Sequence, residues 1–212
     1  MLHVNLESIL MFRSLLVLVV LVFAQAAFAQ ERGAQLAAAA AGQVGITTIY
    51  DPSYVGLEFP GGDIPRSRGV CTDVVIRALR DAIGVDLQRV VNSDMKANFA
   101  RYPKNWGLSR TDRNIDHRRV PNLETLLRRA GAELELSSDP VVFLPGDIVS
   151  FRLNGSNLPH IGIVAAKKSS VGVPLLTHNI GWGTQTEDVL FEHKMIGHFR
   201  LSDQAVAWLS NR

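Results

Sequence analysis

Cys71, His160 and His178 are the residues whose types and placement suit covalent chemistry. Cys71 is the only thiol in the chain. It sits in Arg68-Gly69-Val70-Cys71-Thr72-Asp73-Val74-Val75, where a glycine-marked turn opens a helix. A thiol at a helix N-terminus feels the positive end of the helix dipole and unpaired N–H groups, and both favour the nucleophilic thiolate. His160 opens the apolar run His160-Ile161-Gly162-Ile163-Val164, and His178 closes Leu175-Leu176-Thr177-His178. A thiol, an imidazole to take its proton and a polar group to orient that imidazole make a cysteine hydrolase. If the two runs form a hairpin through the polar stretch 167–172, both imidazoles stand on one edge. Neighbouring strand residues face opposite ways, so Asn179 competes with His178 for the orienting role until the register is known.

Each residue also has a plainer reading. A cysteine on an apolar helix is commonly core filler, although Cys71 stands just ahead of the apolar stripe. His160 suits a surface strand end, and His178 a hydrogen-bonded core histidine. His117, in Asn114-Ile115-Asp116-His117-Arg118-Arg119, reads as structural or substrate-contacting, and His193 and His198 read as surface residues. Asp73 and Asp116 are candidates for binding a substrate amine or for capping helices. No His-x-x-x-His helix or cysteine pair with zinc spacing occurs, so no metal or other cofactor is expected. Glycine-rich phosphate loops and Gly-x-Ser-x-Gly elbows are missing too.

The elements that must hold these residues follow from the pattern. Arg13, the apolar run 15–24 and the small residues of Ala27-Phe28-Ala29 form a secretory signal pattern, cut after Ala29. The run is short for a membrane span, so no membrane association is expected after cleavage. Residues 30–212 suit one domain, expected as a periplasmic or secreted monomer. Formal net charge is +2, and loss of residues 1–29 removes one acid and one base, so it stays there. That balance gives no reason to expect nucleic acid. Residues 32–44 are alanine-rich and predict a helix. Residues 50–62 read as an ordered loop with a short strand at 54–57. Val74, Val75, Ala78, Leu79 and Ala82 recur at helical spacing up to Gly84. Ser93 is expected to cap a second helix running to Tyr102-Pro103, and Pro121-Asn122 to open a third that stops at Gly131. Strands are expected near 134–136, 147–153, 161–166, 173–177 and 191–201, then a helix at 205–209. Helices first and strands after predict an α+β domain, with the Cys71 helix packed on an antiparallel sheet.

Several of these segments resemble known families. Pro145-Gly146-Asp147-Ile148-Val149-Ser150-Phe151, then His160-Ile161-Gly162-Ile163-Val164, then Thr177-His178, resembles the second half of the NlpC-type papain-like cell-wall peptidases. Gly62-Asp63-Ile64-Pro65, Gly69-Val70-Cys71-Thr72-Asp73, Asn114 through Asn122 and Thr177-His178-Asn179-Ile180-Gly181 are similar to the bacterial domain-of-unknown-function family 1287, over roughly Gln35 to Leu201. The resemblance implies a papain-like fold. Cys71 would be nucleophile, His160 base and then acid, His178 its orienter, and the Cys71 backbone N–H an oxyanion donor. It also implies an upstream tyrosine near the thiol, for which Tyr54 is the candidate. Val-Cys-Thr-Asp stands where NlpC-type enzymes carry Asp-Cys-Ser-Gly, so the rim of the site differs.

These readings converge on an exported cysteine hydrolase of a peptide or amide bond, with a cell-wall peptide or peptidoglycan as substrate. Two alternatives stay open. One is a catalytically silent module gripping a wall peptide through Asp116, Arg118 and Arg119. The other is an acyltransferase using the same three residues.

Overall fold

The structure, a computed structural model, describes residues 28–212. The expected leader falls outside the described residues except for its last two. Helix α1 spans 28–41, starting ahead of the expected Arg32 and stopping short of Val44. It buries Leu36, Ala37 and Ala40.

Strands β1 (Ile49–Tyr50) and β2 (Arg68–Gly69) pair in parallel, Tyr50 opposite Gly69. The strand expected at 54–57 does not form. Pro52 has no N–H to give, and the neighbouring backbone groups are claimed by side chains. The carbonyls of Asp51 and Ser53 accept from Arg118, and the Leu57 N–H donates to Asn114. Side-chain bonds thus satisfy this loop where a ladder would otherwise be needed.

Helix α2 (Cys71–Ile83) buries Val74, Val75, Ala78 and Leu79. Gly84, at φ 68°, ends it in a left-handed turn that a side chain would strain. Helix α3 (Leu87–Asn98) begins earlier than the Ser93 cap proposed from sequence. Asp86 caps it, accepting from the Gln88 N–H at 3.1 Å, and Ser93 lies inside the helix. The apolar positions Leu87, Val90, Val91 and Met95 form one buried face, which extends the helix back to the Gly84 stop. Helix α4 (Val120–Arg129) has Pro121 in its first turn.

The rest of the chain builds a six-stranded antiparallel sheet in the order β3-β8-β4-β5-β6-β7. The strands are β3 (Glu133–Leu134), β4 (Ile148–Arg152), β5 (Pro159–Lys168), β6 (Pro174–Asn179), β7 (Thr184–Glu187) and β8 (Lys194–Phe199). Helix α5 (Asp203–Ser210) follows, capped by Ser202. Alternation along the strands sorts two cores. Ile148, Ile161, Ile163 and Phe199 join the helical layer, while Val149, Phe151, Val164 and Leu176 pack on the other face with Phe143 and Leu190. The result is a mixed α+β domain, with α2 lying on β5 and β6. Among the described residues no helix is long and apolar enough to cross a membrane.

His198, expected at the surface, is buried on β8. Its Nε2 is 2.7 Å from an Asp147 oxygen and its ring stacks on Phe143. Arg200 grips the same carboxylate, which accepts the Leu144 N–H as well. Three partners, through four hydrogen bonds, thereby fix the Pro145-Gly146-Asp147 turn that leads into β4. His193, also expected at the surface, is half-buried edge-on to Phe151.

Candidate active site

The first turn of α2 is held by a buried charge pair. Asp73 accepts the Val70 N–H at 2.7 Å, capping its own helix. Its two oxygens also accept from Arg118 Nε and Nη2, each at 3.0 Å. Arg118 reaches on to the carbonyls of Ser53 and Asp51, so one guanidinium joins the helix start to the loop ahead of it. Gly69 is required by this crowding. A Cβ there would lie 3.1 Å from the Asp73 carboxylate and 3.2 Å from Arg77 Nη1.

Arg77, one helical stretch further on, is 0% exposed. It donates to both Asp63 oxygens, to the carbonyls of Ile64 and Arg68, and to the Thr47 hydroxyl. From the sheet side, Asn179 Nδ2 donates to the Gly69 carbonyl at 3.0 Å. The turn that presents Cys71 is therefore fastened from the helix, the preceding loop and β6.

Cys71 itself is 6% exposed. Burial pushes its thiol up to about 12, and the nearby Asp73 charge adds to the rise. The backbone N–H groups of Ile161, Thr72 and Cys71 pull the other way without winning. The thiolate expected from the helix N-terminus is thus overruled by desolvation, and at rest the group is a neutral thiol. Helix α2, which begins at Cys71, packs on β5 and β6, the strands that carry His160 and His178. No hydrogen bond joins Cys71 to His160 among the described residues.

His160 and His178 do meet. His160 Nε2 lies 2.8 Å from His178 Nδ1, with the rings edge-to-face. Burial, then the neighbouring His178 and His193 rings, push the His160 imidazole down to about 3. Burial lowers His178 as well, with Glu187 acting against it. Both rings are neutral near pH 7. Asn179, the alternative orienter, turns away to Gly69, so the bond to His160 comes from His178.

A third group completes the row. His178 Nε2 lies 3.0 Å from Glu187 Oε2 on β7. Sequence reading missed Glu187 because it did not expect β7. The signal was the alternation of Thr184-Gln185-Thr186-Glu187 after the turn 180–183. In the observed register His178 faces Gln185, which puts Glu187 diagonally across on the same face.

The other expected site residues are placed elsewhere. The Tyr54 hydroxyl donates to Asp112 at 3.1 Å and accepts from Asn114 at 2.9 Å, on the wall of an open groove of about 880 Å³ that Lys96, Arg110 and Arg113 also line. The tyrosine that feels the thiol is Tyr50, whose hydroxyl is raised by burial and then by Cys71 and Asp73. Asp116 is buried, accepting the Asp112 N–H at 2.6 Å and Arg119 at 3.0 Å. With Asp73 equally occupied, both acids hold their own loops and helices and have no accessible oxygen to offer a substrate amine. His117 is buried too. Desolvation and Arg118 push it down to about 4, and its Nδ1 has no partner. Among the described residues no cluster of three or more His, Cys, Asp or Glu could hold a metal ion.

The chain belongs to the family described as domain of unknown function DUF1287, whose model matches residues 37–201. It is 55% identical over 158 residues to the uncharacterized protein YijF of Escherichia coli (strain K12), covering 74% of this chain and 76% of that one. No solved structure matches it. The family span takes in Cys71, His160, His178 and Glu187.

Proposed function

We propose that the protein is an exported cysteine hydrolase with a papain-like, NlpC-type domain, cleaving a peptide or amide bond in the cell wall. The observation that carries this reading is the His160–His178 bond at 2.8 Å, formed on the two strands against which the Cys71 helix packs. The leader pattern and the resemblance to wall peptidases support peptidoglycan as the substrate.

The chemistry balances on three side chains. His160 Nε2 is taken up by His178, which leaves Nδ1 for the thiol proton. Sulfur attacks the substrate carbonyl as that proton passes to Nδ1, because a thiol near 12 and an imidazole near 3 do not form an ion pair beforehand. The oxyanion accepts from the Cys71 backbone N–H. Collapse breaks the C–N bond, the imidazolium proton leaves with the amine, and a thioester remains. Water then gives a proton to His160 and attacks the thioester. The C–S bond breaks and the thiol regains its proton.

Digestion of purified peptidoglycan by the wild type beside Cys71→Ala tests this, with released fragments read by mass spectrometry. New muropeptides from the wild type alone are expected. Equal release by both forms would sink the mechanism. The closed, protonated thiol favours one second reading, a silent module that binds wall peptide. Both forms would then sediment with peptidoglycan and neither would release fragments.

A further inference from the structure

The row His160, His178, Glu187 contains more than an orienting contact, because its three members have unequal hydrogen-bonding capacity. An ionised carboxylate has lone pairs only, whereas a neutral imidazole has one N–H and one lone pair. Glu187 Oε2 lies 3.0 Å from His178 Nε2, so Nε2 must hold the proton. Burial disfavours a second proton on His178, which leaves a lone pair on its Nδ1. That lone pair faces His160 Nε2 at 2.8 Å, so His160 must donate from Nε2. Neutral His160 then has its lone pair on Nδ1.

We propose that Glu187 is a positioning residue: acting through His178, it fixes the His160 proton on Nε2 and leaves Nδ1 as the free base. The assignment concerns the resting tautomer. Its use in catalysis rests on the hydrolase reading, but its existence does not. Glu187 suits the task because its side chain is 45% exposed, at the solvent end of a buried imidazole pair. The other charged or titratable groups facing the pair are His193, near both rings, and Glu192, near His178. Neither is hydrogen-bonded to either ring. The reverse arrangement, with His178 protonated on Nδ1, would satisfy the His160 contact with His160 Nε2 accepting, but would set two lone pairs against each other at Glu187.

Ring tautomers are read directly from long-range ¹H–¹⁵N correlations of the imidazole nitrogens. In the full chain near pH 7, His160 and His178 are both expected as the Nε2–H form. In Glu187→Gln the amide can donate as well as accept, so the preference is lost. The Nδ1–H form of His160 should rise several-fold, and Glu187→Asp should restore most of the wild-type pattern. On a wall substrate, kcat for Glu187→Gln should fall roughly ten- to hundred-fold with KM little changed, as for other groups that orient a working histidine. A wild-type spectrum with His160 protonated on Nδ1 overturns the assignment without any variant. An unchanged His160 signal in a folded Glu187→Gln protein overturns it too. Tautomers as described, together with no release of muropeptides, would remove the hydrolase reading and leave the role of Glu187 standing.

Discussion

The two halves of the site are held by different physics. On the cysteine side, two buried guanidiniums do the fastening: Arg77 satisfies a carboxylate, two carbonyls and a hydroxyl, and Arg118 a carboxylate and two carbonyls. On the histidine side, neutral imidazoles are aligned by sheet register, and the carboxylate bonded to them, Glu187, lies at the solvent end of the row. The contrast separates position from proton state. Fixed charges make the thiol's place rigid, because moving either guanidinium strands several buried polar groups at once. Neutral rings leave the proton free to move along the other side, where each hydrogen bond is modest and reversible.

The contrast is broken most directly at Arg77. Arg77→Ala leaves Thr47 and two carbonyls without this donor and Asp63 with only the longer Arg80 contact at 3.5 Å, and should cost about 3–5 kcal/mol, the range for breaking a buried ion pair. Urea unfolding measures it; a loss under 1 kcal/mol would mean the cysteine-side clasp is not what fixes α2. A graded effect belongs to the imidazoles. His160 is held near 3 and His117 near 4, both below the ordinary 6.5. The unfolded chain therefore binds protons that the native state refuses, and stability falls as the pH drops from about 6.5 toward 3. The slope should approach about 1.4 kcal/mol per pH unit for each such ring. His117→Gln should flatten it, as seen in urea midpoints taken from pH 7 to pH 4; a flat wild-type profile would contradict the burial argument. The smallest effect is expected at Glu187. Its contact is half in water, so Glu187→Ala should change stability by less than about 1 kcal/mol. A large loss there would make the histidine side as dependent on charge as the cysteine side.

Local pattern was enough for some of this architecture. Apolar spacing from Val74 with a stop at Gly84 located α2, and the apolar runs around Ile163 and Leu176 located β5 and β6. Residues bound by distant partners were harder. Asp73 looks like a cap in its own segment, and nothing nearby announces Arg118, 45 residues on. Ser93 has the right chemistry for a cap, but tertiary burial of Leu87, Val90 and Val91 carried the helix past it. β7 has no apolar face, because its residues pair at the sheet edge, so hydropathy gave no sign of Glu187. His198 was misread for a related reason: its partner Asp147 lies 51 residues away, and a buried histidine paired to an acid resembles a surface one in sequence.

The bond from Asn179 to Gly69 spans 110 residues, and Thr184 reaches back still further, to the Thr47 carbonyl at 2.7 Å. Closing loops of that size carries an entropic cost that shorter contacts do not. The turn that carries Cys71 consequently acquires its final clasp only when the last hairpin docks. A chain emerging N-terminus first carries Cys71 out long before it carries Asn179, and in that interval the cysteine is an ordinary thiol on an unfinished scaffold.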